Sequence, residues 1–299
     1  MTDTAAPITY DVPAHPARRI LAEPKVILGA AFVFLFIAVA VVAKIRGVDP
    51  LLQTADLNHP PSSEHWFGTD KLGRDVFSRA GDGAIVSLQV AIGSVLVGVL
   101  VAVPIGMIAG YFATTWLDEG IMRIVDVILC LPLFILGLVV LGFMGSGPVH
   151  ILGFELPPVT KVIGLIALAG VPLFARVARA GVLVERQEDY VDALKVVGVS
   201  RMRILFGDVG VNIVPPVLVQ ATTWMAVAIF AEAGLGFLGL GIQPPTPTLG
   251  NMLLESQSSL LLGYWWLAVF PGLLIFAVIV GFNLIGDGIG RALGTDSGS

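Results

Sequence analysis

Between Asp82 and Asp118 the chain runs for 35 residues, Gly83 to Leu117, without a charged side chain. About 20 apolar residues suffice for a helix to cross roughly 30 Å of hydrocarbon, at about 1.5 Å of rise per residue. A run of this length fits a lipid bilayer and not the core of a water-soluble domain. It has company: Val26 to Ala43 is uncharged for 18 residues, Val127 to Phe154 for 28, Val209 to Ala231 for 23 and Ser256 to Gly286 for 31. A shorter window, Val162 to Ala175, has 14 and continues past Arg176 and Arg179 through Val177, Ala178 and Gly181, as a fourth span whose end snorkels to the interface. Only 13% of the residues are charged, against about 25% in an ordinary soluble domain.

The expected fold is therefore an all-α polytopic membrane protein with six transmembrane helices. Placing the N-terminus inside puts eleven cations on the inner segments (Arg18, Arg19, Lys25, Arg123, Arg176, Arg179, Arg186, Lys195, Arg201, Arg203, Arg291) and six outside. By the positive-inside rule both termini are cytoplasmic. The resulting divisions are an N-terminal tail over 1–25, a first helix over 26–43, an extracytoplasmic segment over 44–84, a five-helix core over 85–287 with an inner loop over 185–208, and a C-terminal tail over 288–299. The first span is not read as a signal peptide despite Ala38-Val39-Ala40, because a 25-residue n-region, with its cations offset by Asp3, Asp11 and Glu23, is the wrong preface.

Several chemistries lack their residues. One cysteine, Cys130, in an apolar run, permits no intrachain disulfide and no cysteine metal cluster, and it reads as a small core hydrophobe. The four histidines form no HExxH. A net charge of −5 with no long basic run disfavours nucleic acid. No G-x-x-x-x-G-K-[ST] loop is present to cradle nucleotide phosphates. An ion-gradient carrier needs ionisable groups within its spans; the fifth and sixth spans have none, and Asp126 and Glu232 fall at span edges, as pairs with a neighbour such as Arg123 or as helix caps. An intramembrane hydrolase would have to use Ser87, Ser94 or Ser146 with His150, a weak constellation. Gly106 and Gly110 form a G-x-x-x-G packing motif, which points to contact with another helix, of this chain or of a partner chain.

The inner loop is the most charged stretch. Tyr190, Val191, Leu194 and Val197 share one helical face, Asp189 is placed to cap the helix and Gly198 to end it. After Ser200, Arg201-Met202-Arg203-Ile204-Leu205-Phe206 opens a second amphipathic helix. Two short helices around a glycine elbow, with an apolar stripe and a basic rim, suit docking into a groove on another protein; the pattern also fits a solvated turn or an interfacial helix.

The spacing resembles the EAA loop of bacterial ABC importer permeases: Asp192-Ala193-Leu194, then Gly198, with aspartate for glutamate and leucine for the second alanine. The outer stretch His65-Trp66-Phe67-Gly68-Thr69-Asp70-Lys71-Leu72-Gly73-Arg74-Asp75 through Arg79 resembles the H-x-F-G-T-D-x-x-G-R-D motif of the dipeptide, oligopeptide and nickel (DppC/OppC-type) branch. Its aspartates and arginines can neutralise one another in a compact scaffold. A third stretch, Glu232 to Leu253, is similar to that branch's E-x-x-L-S-F-L-G-L-G-x-Q-P-P run. Irregular backbone of this kind at membrane depth must be packed in protein or line a watery cavity.

The resemblance implies the type I ABC importer permease fold in the bacterial inner membrane, and a peptide importer, with nickel or another small solute as the alternative cargo. It implies that Tyr190, Asp192, Ala193, Leu194, Gly198, Arg201 and Arg203 couple to an ATPase. Phe67, Gly68, Thr69, Asp70, Gly73, Arg74 and Asp75 would form the outer scaffold, and Glu232, Gly239, Gly241, Gln243, Pro244 and Pro245 the outer mouth of a pathway. It implies no cofactor or metal on this chain, with ATP and Mg on two partner ATPase subunits or one fused chain. The remaining partners are a second homologous permease and an extracytoplasmic substrate-binding protein.

Overall fold

Proline and glycine mark the ends of the first long helix. Pro24 opens it, where an N–H would have no intrahelical acceptor, and Gly47 closes it in the left-handed region at φ 64°. The computed structural model describes residues 16–145, 147, 149–151 and 154–294. Its order is α1 (Pro16–Ala22), α2 (Pro24–Arg46), α3 (Val76–Tyr111), α4 (Trp116–Leu129), α5 (Leu133–Met144), β1 (Val149–Ile151), β2 (Phe154–Leu156), α6 (Val159–Glu185) and α7 (Asp189–Val196). Then follow α8 (Arg201–Arg203), a π-helical stretch Ile204–Val209, α9 (Gly210–Asn212), α10 (Val214–Phe237), α11 (Leu249–Leu260) and α12 (Trp266–Leu293).

Helices α2, α3, α6, α10 and α12 are each long and apolar enough to cross a membrane. The expected third span is instead two helices, α4 and α5, bent by 86°. The bend falls at Cys130-Leu131-Pro132, where proline removes a backbone donor. Cys130 is exposed there, which corrects its reading as a core residue. The all-α expectation also missed the β1–β2 hairpin, antiparallel with Val149 opposite Leu156. The C-terminal tail expected over 288–299 is helical through Leu293, while 295–299 and residues 1–15 of the expected N-terminal tail lie outside the described residues.

Close backbone approach sets the packing. A Cβ on Gly106 would lie 2.2 Å from the Ala175 carbonyl oxygen, and one on Gly110 would lie 2.8 Å from that of Arg179. The G-x-x-x-G motif therefore joins α3 to α6 of its own chain. Because Gly93 meets Ile163 and Gly110 meets Arg179, α3 and α6 run parallel. The chain between them must return across the layer, and α4, α5 and the hairpin carry it. Likewise Gly29 lies against Gly281 and Gly288 against Val26, so α2 and α12 cross antiparallel. Phe36, Val90, Phe174, Trp224 and Val278 fill the core where these helices meet.

Candidate coupling loop and outer mouth

Loop 186–213 is rooted at three points. Arg186 Nη1 donates to the Gly110 and Tyr111 carbonyls at 3.2 and 3.4 Å, which satisfies the end of α3. Tyr190 donates its hydroxyl to Glu185 Oε2 at 2.7 Å, and Asn212 Nδ2 donates to that same oxygen at 2.8 Å and to the tyrosine oxygen at 3.1 Å. Burial and the neighbouring carboxylate push the Tyr190 hydroxyl up to about 12. Val191 is fully buried among Met107, Val182, Ile204, Leu205 and Val209.

Among the described residues no other element covers the opposite face of α7. Val196 and Val197 are 88% and 80% exposed, and Asp192, Ala193 and Met202 are exposed beside them. The apolar stripe expected from sequence thus divides: Tyr190, Val191 and Leu194 pack inward, while Val197 points away. The elbow is as expected. Gly198 sits at φ 86°, its N–H donating to the Lys195 carbonyl, and that of Val199 reaching Leu194, while a Cβ on Gly198 would meet nothing within 4 Å. Conformation alone demands glycine there. Asp189 does not cap α7: Glu188 holds the cap position, and neither it nor Ser200 before α8 makes a side-chain cap bond. The second expected amphipathic helix becomes three residues of α-helix and then the π-helical stretch. Arg201 joins Arg186 and Lys195 around an open cleft of about 760 Å³, and Arg203 is exposed nearby.

On the opposite face, segment 47–75 is folded against α3, α11 and α12. Phe67 stacks on Phe270 with centroids 4.1 Å apart, and Trp266 Nε1 donates to the Thr69 carbonyl at 3.3 Å. Thr69 is fully buried; its hydroxyl donates to the Asp56 carbonyl and accepts from the His59 N–H. Gly68 and Gly73 adopt φ 75° and 72° against the carbonyls of His59 and Thr54. Asp70 Oδ2 accepts from Arg74 Nε at 2.7 Å and Arg79 Nη1 at 2.5 Å. The other carboxylate of this cluster is Glu255 of α11, whose Oε2 lies 2.8 Å from Arg74 and 2.9 Å from Arg79. Asp75 does not join it. It caps α3, accepting from the Ser78 N–H and hydroxyl, and faces His65 at 2.8 Å and Arg46 at 3.7 Å.

Helix α10 ends in a tight wrap. The N–H groups of Leu240 and Gly241 both donate to the Leu235 carbonyl, and Gln243 Nε2 donates to those of Gly239 and Gly241 at 3.0 Å each. Gly239 sits at φ 74°, and Pro244-Pro245 is cis. Thr248 caps α11 and Asn251 Nδ2 reaches the Ile242 carbonyl at 2.6 Å. At about 18 Å, α11 is too short to cross a bilayer. Gly239, Gly241 and Gln243 line a cleft of about 200 Å³ facing α5 and α6. Glu232 does not line this cleft. It is 1% exposed inside α10 and accepts from the Ser87 hydroxyl at 2.7 Å, which corrects the expectation of an ion pair or cap. Asp126 pairs with Arg176 at 2.5 Å rather than with Arg123. Ser94 Oγ donates to the Ala91 carbonyl, and Ser146 lies outside the described residues. Sequence reading missed Glu255 and Lys161; a lone acid before an apolar run was the only trace of the first.

The profile of the family described as "Binding-protein-dependent transport system inner membrane component" matches residues 102–296. A dipeptide transport system permease protein, DppC, of Alkalihalophilus pseudofirmus is 37% identical over 269 residues, covering 89% of this chain and 84% of that one. A glutathione transport system permease protein, GsiD, of Pectobacterium atrosepticum is 37% identical over 279 residues, covering 92% and 88%. In fold, the chain is similar to a structure of the inward-facing MetNI methionine ABC transporter, with a TM-score of 0.56 at 17% identity, covering 71% of this chain and 94% of that one.

Proposed function

Because this chain belongs to the family of binding-protein-dependent transport system inner membrane components, we propose that it is a permease subunit of an ATP-driven importer of small peptides in the bacterial inner membrane. The dipeptide and glutathione permeases resembling it along about nine-tenths of its length support that cargo class. Helices α2, α3, the bent pair α4–α5, α6, α10 and α12 make six crossings, a reading supported by the parallel run of α3 and α6. Both termini and loop 186–213 lie in the cytoplasm, and segment 47–75 and α11 outside, in keeping with the positive-inside bias.

The observation that carries the reading is the elbow at Gly198. A helix anchored inward by Val191 presents an exposed apolar edge at Val196 and Val197, with Asp192 and Ala193 beside it and Arg201 and Arg203 on the rim. Such an edge suits a groove on a partner ATPase. Tyr190 and Leu194 face the other way, and their role is to root the helix. Since Tyr190 and Asn212 both engage Glu185, a push on α7 moves the end of α6 and the lead-in to α10 together. ATP and Mg act on the ATPases, and the permease rocks between inward- and outward-facing forms. A second, homologous permease completes the pathway, and an extracytoplasmic binding protein delivers the peptide. The outer motif, Phe67 to Asp75, serves as scaffold.

Mild-detergent co-purification of the tagged chain from its native membrane tests this reading. An ATPase and a second permease should accompany it, and hydrolysis should rise with a peptide-loaded binding protein. Recovery of the chain alone, moving solute on an ion gradient without ATP, would overturn it.

A further inference from the structure

Lys161, near the start of α6, is 7% exposed, yet its ammonium has no carboxylate partner among the described residues. Its Nζ donates to the carbonyls of Met144 and Gly145, at 3.1 and 2.7 Å, where α5 ends. An ammonium carries three donors, and two carbonyl dipoles at a helix C-terminus offset only part of a buried positive charge. Among the described residues no acceptor takes the remaining donor. Lys161 lines the cleft of about 200 Å³ together with Gly239, Gly241 and Gln243.

That volume is several times the roughly 30 Å³ share of a water molecule and smaller than the roughly 300–1,000 Å³ of a site that encloses a whole ligand. It admits one end of a peptide. The Gln243 amide is turned back on its own loop, which leaves Lys161 as the charged group of the wall. Resting on the importer reading above, we infer that Lys161 and the 239–243 loop form a subsite for the terminal carboxylate of the incoming peptide at the outer mouth, with the rest of the cargo held outside this chain.

The test is equilibrium binding of radiolabelled alanyl-alanine, and separately of glutathione, to the assembled transporter in phosphatidylcholine nanodiscs without the binding protein. Wild type should retain label that the unlabelled acid displaces about tenfold better than its C-terminal amide, as expected for loss of one charge-assisted hydrogen bond, and far better than acetate. Lys161→Met should bind the acid about tenfold more weakly and the amide as wild type does, which shows that the cleft is intact; Lys161→Arg should keep the preference for the acid. Equal loss of acid and amide in Lys161→Met, or no acid preference in wild type, would reduce Lys161 to a cap on α5. Displacement by acetate as strong as by peptide would make the site one for any small anion and overturn the assignment. ATP-driven uptake by the wild-type assembly with its binding protein is measured in parallel: uptake without acid preference removes this inference alone, whereas no uptake removes the importer reading and the inference with it.

Discussion

Arg179 grips Asp118 with two parallel hydrogen bonds, Nε to Oδ1 and Nη2 to Oδ2, each 2.7 Å long. The pair spans from α6 to α4, and the Asp118 side chain is only 5% exposed. A two-point guanidinium–carboxylate contact fixes orientation as well as distance, so it sets the angle at which the bent α4–α5 element leaves the α3–α6 pair.

Removing the cation from this pair leaves a buried carboxylate without its main partner. Arg179→Ala is expected to destabilise the purified protein by about 3 kcal/mol, read as a lower midpoint of thermal unfolding in detergent. Arg179→Lys should recover only part of it, because an ammonium cannot make the paired contact.

The outer charge cluster gives a second prediction. Glu255 supplies a carboxylate shared by Arg74 and Arg79, and Arg79 is 4% exposed. Glu255→Ala should cost about 2 kcal/mol, less than a fully buried pair because Glu255 itself is partly solvated. Limited proteolysis should then cut segment 47–75 faster, while Glu255→Gln, which keeps an acceptor, should fall between.

Tyr190 links α7 to α6, and its hydroxyl is held neutral up to about 12 against an ordinary 10.0. A tyrosine whose folded value is raised binds its proton where the unfolded chain has released it. The stability it contributes is whole below pH 10 and lost as the pH climbs towards 12. Tyr190→Phe should flatten that alkaline loss. It should also lower peptide uptake per ATP hydrolysed, since Glu185 keeps only Asn212; unchanged coupling in the variant would remove Tyr190 from the transmission.

At Gly198 the side-chain space is open and only the backbone is particular. Gly198→Ala should cost about 1–2 kcal/mol through the left-handed penalty, with insertion intact. Gly198→Trp should insert and assemble at wild-type levels yet import several-fold less, because it redirects the elbow. Normal uptake by that variant would sink the coupling role.

How legible this was depended on the range of the interactions. Uncharged runs are local, so α2, α3, α6, α10 and α12 could be found without any contact between them. Gly198 was legible because a positive φ after a helical face is a property of one residue. What pairs with Asp70, Asp75, Asp126 or Glu232 depends on residues up to 185 positions away, as with Glu255 and Asp70, and no periodicity encodes that. The break at Pro132 was hidden for another reason: hydropathy is continuous through Cys130-Leu131-Pro132, so an unbroken run masked a bent backbone. The inward and outward halves of the α7 stripe were likewise inseparable, since Val191 and Val197 are equally apolar and only packing distinguishes them.

The parallel contact of α3 with α6 also fixes an order of events at the ribosome. The glycine face of α3 emerges with nothing to receive it, and its partner is complete only when Glu185 has been added, roughly 70 residues after Tyr111. At about 5–20 residues per second that is a wait of about 4–15 s. During it, α3 has α2 beside it but no α6, and any chaperone or translocon contact that guards its glycine face has that interval in which to act.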